Sequence, residues 1–274
     1  MKSFTRRRIR NGGAMLVAVA LVWLWVRTLE RNLASSSIAT GCILLAAVWF
    51  LAFYNIRKKF PFLPLGTSAT WLQWHLYVGI GSIGVFALHA GIAWPSGILE
   101  STLAATYAAT VISGLVGLYL TRTIPVQLAR VGEEVIYERI PALRSQLGQQ
   151  AEEVVMQAVT TAGTTTLADF YSDRLFGFFR RGRGLNYFFR PTTALRRGLM
   201  AEMQHLRRYL SEAELTACER LFALVRRKDD LDFHRARQGL LKVWLFLHIG
   251  LTYALVALGI VHGLAAAAFR GGAL

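Results

Sequence analysis

Four of the chain's six histidines stand in two apolar stretches at one spacing. The first stretch begins Trp71-Leu72-Gln73-Trp74-His75 and ends Leu88-His89-Ala90-Gly91. The second begins Trp244-Leu245-Phe246-Leu247-His248 and ends Val261-His262-Gly263. Fourteen residues are close to four helical turns, so the two imidazoles of each stretch fall within about 40° of one helix face and about 21 Å apart along its axis. That is nearly the depth of a bilayer core. Each helix therefore presents one imidazole towards each membrane surface, and two such helices side by side make two layers of facing histidines. Bis-imidazole ligation of two stacked haems needs this arrangement, because each iron takes a nitrogen from either side of the porphyrin plane.

The elements that must position these residues are membrane helices. The chain has 274 residues, of which 54% are hydrophobic, and its mean hydropathy is positive. That is too apolar for an ordinary soluble domain and points to an integral membrane protein. The net charge of +15 is carried largely beside apolar runs, at Arg6-Arg7-Arg8 with Arg10 and at Arg57-Lys58-Lys59, and in a long polar segment before the last helix. Charge so placed is a topology signal rather than a nucleic-acid footprint. Two cysteines, Cys42 and Cys218, lie in dissimilar surroundings and do not read as a disulfide. There is no C-x-x-C-H haem-attachment motif, no iron–sulfur cysteine set and no G-x-G-x-x-G after a strand.

Five spans follow in order. The run from Gly13 to Val26 reads as a short first transmembrane helix; a signal peptide with a small-residue stretch at Ala34-Ser35-Ser36 is the alternative. Ile38 to Tyr54 form the second span, and a loop with Pro61 and Pro64 follows. The third span, about 70–93, is the first histidine helix. The fourth, about Thr102 to Leu120, ends at Arg122 and Pro125. Residues 122–240 read as a helical cytoplasmic domain inserted between helices four and five. Residues 241–266 are the fifth span and second histidine helix. The expected fold is thus all-α, a five-helix membrane bundle (1–121 with 241–266) carrying an inserted helical domain. The positive-inside rule places the N-terminus inside and the C-terminus outside, as in a bacterial inner membrane. The two histidine helices then run parallel, pairing His75 with His248 near the cytoplasmic side and His89 with His262 near the outer side.

Within the inserted segment, Ala142 to about Thr160 reads as an amphipathic helix. Ser211-Glu212-Ala213-Glu214 is a capping box that opens a helix to about Arg227, with the last span led in from Asp229. Residues 178–190 interleave aromatics and arginines (Phe178, Phe179, Arg180, Arg181, Arg183, Tyr187, Phe188, Phe189, Arg190). They fit a lipid interface, a docking surface for an acidic electron-transfer partner, or a packed turn between helices. His205 and His234 read as surface or core residues. Trp71, Trp74 and Trp244 suit the aromatic belt.

The pattern of His75, His89, His248 and His262 resembles di-haem b-type membrane cytochromes, the cytochrome b subunits and ferric-reductase-like transmembrane domains. The resemblance covers the two histidine helices, about 45 residues. It implies two haem b groups, one held by His75 and His248 and the other by His89 and His262. It also implies a role as an electron-carrying subunit of a membrane oxidoreductase, exchanging electrons with partner redox subunits, soluble carriers or quinone. Partners would dock on the inserted domain or the outer face. The chain departs from the families in the long insertion between the histidine helices, and no residue is assigned to a quinone pocket. Small residues, Gly79, Gly81 and Gly84 in one helix and Gly250, Ala254, Ala257 and Gly259 in the other, suit a porphyrin edge or ordinary tight packing. Two other readings stay open: a membrane scaffold whose histidines make structural hydrogen bonds, and a stand-alone transmembrane reductase. A metal transporter would want carboxylates within the spans, and the histidine helices have none.

Overall fold

The computed structural model describes residues 2–31, 36–59, 67–91, 94–132 and 134–270. The Pro61–Pro64 loop, residues 34 and 35 of the small-residue stretch, and the last four residues lie outside them. All regular structure in the described residues is helical. Among the described residues, five helices are long and apolar enough to cross a membrane. The chain divides into two compact units, Met1–Val116 with Leu245–Leu274, and Gly117–Trp244.

In the first unit, α1 (Lys2–Arg31) and α2 (Ser36–Lys59) pack with α3 (Ser68–Ala90). The apolar part of α1 runs over Ile9–Arg31, longer than the 13–26 run expected. Gly12 and Gly13 do not interrupt it, because the helix propensity of its neighbours outweighs about 1 kcal/mol per glycine. Large apolar side chains such as Leu16, Leu21, Phe53, Ile83 and Ile112 are exposed, as lipid-facing positions must be.

α3 starts where the Thr67 hydroxyl accepts the Thr70 amide. It stops at Gly91, whose φ of 72° only a residue without Cβ adopts freely and whose amide donates to the Ala87 carbonyl. The helix therefore ends earlier than the 93 expected. α4 (Ile98–Ala129) opens with the Ser101 amide donating to the Gly97 carbonyl. Its threonines 102, 106 and 110 each donate to the carbonyl four residues back, which satisfies their hydroxyls in an apolar setting. Pro125 lies inside α4 rather than ending it. Proline's fixed φ is itself helical, so one lost amide bond is tolerated where flanking turns hold.

The second unit continues through a 3₁₀ turn at Tyr137–Arg139 and helices α5 (Ile140–Ala162), α6 (Thr166–Phe170), α7 (Phe176–Arg180), α8 (Leu185–Phe189) and α9 (Ala194–Leu206). A π-helical turn, Tyr171–Leu175, joins α6 to α7. α10 (Glu212–Arg270) then runs without a break between Arg227 and Asp229. Its start is the expected capping box: the Ser211 amide donates to Glu214 Oε2 at 3.1 Å. The same carboxylate's other oxygen accepts the Leu167 amide at the head of α6.

Buried positions on α5 fall at 140, 144, 147, 151, 155 and 158, one stripe at helical period. They meet Leu167, Leu175, Phe179, Met203, Leu221, Val225 and Leu231. One charged cluster is buried with this core. Asp232 pairs with Lys228 at 2.6 Å, Arg144 at 3.1 Å and Arg183 at 3.2 Å. Asp229 pairs with Arg183 at 2.5 Å and Arg196 at 3.4 Å. Asp229 thus faces inward and extends the helix.

The same contacts decide the first half of 178–190. Phe178 and Phe179 are core residues, and the Arg183 guanidinium lies over both Phe178 and Tyr187. That half is a packed turn. Leu185, Phe189 and Arg190 in the second half are exposed.

Candidate functional site

The bundle of the first unit brings the four predicted histidines into two pairs. The rings of His75 and His248 lie 6.3 Å apart, centroid to centroid, at 70°. Those of His89 and His262 lie 6.2 Å apart at 86°. The two histidine helices therefore run parallel within this unit. Two imidazoles axial to one metal, each bonded at about 2.0 Å, have centroids about 6.3 Å apart. The observed spacing is that of two axial ligands and too wide for a direct hydrogen bond between the rings.

Second-layer groups orient the rings through Nδ1. His89 Nδ1 lies 2.9 Å from the Ser37 carbonyl and 3.1 Å from Thr40 Oγ1, both on α2. A carbonyl only accepts, so Nδ1 carries the proton and Nε2 keeps its lone pair. The Thr40 hydroxyl is itself spent on the Ser36 and Ser37 carbonyls, so its oxygen also accepts from His89. His248 Nδ1 is 3.3 Å from Ser113 Oγ on α4. His262 Nδ1 is 3.9 Å from Glu100 Oε1, also on α4. The His75 ring packs on Tyr54 of α2 at 5.2 Å. Nδ1 anchored to an acceptor, with Nε2 left to bind, is the usual arrangement of a metal-ligating histidine.

Glycine at position 41 lets the His89 ring lie close to the α2 backbone. A Cβ on Gly41 would stand 3.0 Å from His89 Cε1, tighter than ordinary packing, whereas one on Gly114 would make only ordinary contact with His248 Cε1 at 3.6 Å. The small residues of α3 separate by role. Gly81 and Gly84 are filled by Met15 and Val19 of α1, so they serve helix packing. Gly79, one turn after His75, has no neighbour within 4 Å of a Cβ, and Gly250 is equally open. An open groove of about 640 Å³ is lined by Ala47, Phe50, Thr70, Trp71, Trp74 and Val78. Trp71 and Val78 belong to the same stripe of α3 as His75. Trp71 stacks on Phe50 at 5.5 Å.

Between the two histidine layers sits a packed septum. Ser82 is seven residues from both His75 and His89, and Leu255 is seven from both His248 and His262. Ser82 and Leu255 are buried with Val48, Val85 and Tyr107. Tyr107 stacks on Phe86 at 4.3 Å and lies 2.9 Å from Ser82 Oγ. Ser82 donates to the Gly79 carbonyl, so the Tyr107 hydroxyl donates to Ser82.

The residues present fit a porphyrin iron between each pair: two imidazoles at a spacing that admits one metal, with Nδ1 hydrogen-bonded on His89 and His248, and open glycine surface at Gly79 one turn from His75. Among the described residues no group of three or more His, Cys, Asp or Glu gathers into a metal site, so each pair offers two nitrogens. The Ser37, Thr40, Ser113 and Glu100 contacts were not anticipated. Glu100 had a visible signal, as a lone carboxylate at the head of an apolar helix. That position is also the ordinary one for an acid beside a helix N-terminus. His205 is exposed and His234 is buried beside Gln238, both in the second unit. Compared with family models, curated proteins and solved structures, the chain matches none.

Proposed function

We propose that the chain is a di-haem cytochrome b subunit that carries electrons across a membrane. The observation that carries this reading is the pair of ring separations, 6.3 and 6.2 Å, in two layers of one helical bundle. His75 and His248 hold one haem b, and His89 and His262 the other. Haem held by two imidazoles would supply a reversible one-electron couple. The protein's own part is to fix the imidazoles. Ser37 and Thr40 hold His89, Ser113 holds His248, and Glu100 faces His262. The Tyr107–Phe86–Leu255 septum keeps water out between the layers. Electrons enter and leave through partner redox subunits, soluble carriers or quinone. The N-terminus lies inside and the C-terminus outside a bacterial inner membrane, with 122–240 cytoplasmic.

A pyridine haemochrome assay on the purified protein tests the reading, beside His89→Ala and His248→Ala. The expected result is two b-type haems per chain, with each variant losing one. Haem-free protein, or haem content unchanged in both variants, overturns it and leaves a membrane scaffold with structural histidines.

A further inference from the structure

We propose that α8 is a membrane-surface anchor that seats the second unit on an anionic lipid headgroup layer. Leu185 and Phe189 are four residues apart, so they share one face of this short helix, and they are 79% and 61% exposed. Two apolar side chains so bare are costly in water. The depth of α8 is fixed by what its inner face touches. A Cβ on Gly239 of α10 would stand 2.8 Å from Phe188 Cε2 and 3.4 Å from the Tyr137 hydroxyl. Phe188 is thus packed onto bare α10 backbone at Gly239, two residues before the span read at 241–266.

The segment before α5 is clasped at the same level. Gln238 Nε2 donates to the Val135 carbonyl at 2.8 Å, and Lys242 pairs with Glu138 while lying 4.1 Å from the Tyr137 ring centroid. Ile136, between these contacts, is 59% exposed. At about 1.5 Å of rise per residue, Gly239 is only about 3 Å along the axis from the start of the span. α8 is therefore held at the boundary between headgroups and acyl chains, where Leu and Phe are stable.

The charges agree. Arg181 and Arg190 bracket α8 and are exposed, as are Arg139 and Arg235 on the clasping elements. Guanidinium groups at this level bind lipid phosphates and are drawn to an anionic surface. A water-facing acidic protein would match the arginines but not Leu185, Phe189 and Ile136. A lipid boundary matches both. The inference rests on the span at 241–266 and not on haem.

The test uses the full chain in a Cys42→Ala background, reconstituted into vesicles of phosphatidylcholine with and without phosphatidylglycerol. An environment-sensitive fluorophore is placed at Leu185→Cys, at Phe189→Cys, or at Glu153→Cys, an exposed site on α5. Quenching by lipids spin-labelled near the headgroup boundary is expected to be several-fold stronger at 185 and 189 than at 153. Phosphatidylglycerol is expected to strengthen it further. Quenching no stronger at 185 and 189 than at 153 overturns the proposal. So does a label shielded from aqueous iodide yet untouched by the spin-labelled lipids, which assigns the face to a protein partner.

Discussion

His262 has a carboxylate neighbour: Glu100 Oε1 lies 3.9 Å from its Nδ1. An anion facing Nδ1 of an imidazole that holds a metal through Nε2 makes it a stronger donor, which would favour the oxidised metal. On the other layer, the neutral Ser113 hydroxyl lies 3.3 Å from His248 Nδ1. Under the proposed di-haem assignment, Glu100→Gln would raise the midpoint potential of the haem held by His89 and His262 by tens of millivolts and leave the other unchanged. Redox titration of the purified protein, followed in the b-haem absorption band, checks this. Two unchanged midpoints would remove Glu100 from the site without touching the ligand assignment. Gly41 and Thr40 complete the residue picture on the His89 side. The glycine admits the ring against α2, and the threonine accepts from it only because its own proton is already bound to the Ser36 and Ser37 carbonyls.

At the scale of elements, α5, the 181–183 turn and α10 are joined by one buried carboxylate. Asp232 meets Lys228, Arg144 and Arg183, and the Arg181 carbonyl accepts from both Arg144 and Lys228. Such a cluster is weak evidence of net stability when intact, but removing one partner leaves buried charge uncompensated. Asp232→Asn is expected to destabilise the second unit by about 3 kcal/mol. The measurement is thermal unfolding of the full chain followed by protease susceptibility between 117 and 244. An unchanged midpoint would mean that Asp229 and water compensate the cations. Element boundaries were partly legible beforehand. Ser211 and Glu214 marked the start of α10 because a capping box is local, three residues apart and readable from one turn. Pro125 misled in the opposite direction, since whether a proline ends or only perturbs a helix depends on what supports the flanking turns. The aromatic–arginine run at 178–190 was legible only as a composition. Its first half turned inward because Asp229 and Asp232, nearly fifty residues away, supply the counter-charges.

For the whole molecule, the proposed sidedness has a direct consequence. Arg6, Arg7 and Arg8 precede the first span, Arg10 stands in its first turn, and the cations of 122–240 lie between the fourth and the fifth. Positive charge retained on the cytoplasmic side puts the residues after the fifth span across the membrane. A periplasm-dependent phosphatase joined after Leu274 is expected to be active, and one joined after Ala162 inactive, in a bacterial host. The reverse pattern would invert the assignment of the two histidine layers to membrane faces while leaving their pairing intact.

The sequence alone determined the apolar helices and the placing of two histidines on one stripe of each of two of them. Both follow from composition and the 3.6-residue period, which act within a single helix. It also determined that a parallel pair would align His75 with His248 and His89 with His262, because equal spacing leaves one in-register match. What only the tertiary structure decided is how far apart the rings stand and what holds them. The 6.2–6.3 Å separation, the anchoring of His89 by α2 and the approach of Glu100 to His262 depend on the rotation of each helix about its axis. That rotation is set by ridges and glycine grooves on several helices at once, such as Met15 and Val19 of α1 filling Gly81 and Gly84 of α3. No window of one helix encodes it, because the free energy that fixes it is shared among residues far apart in the chain.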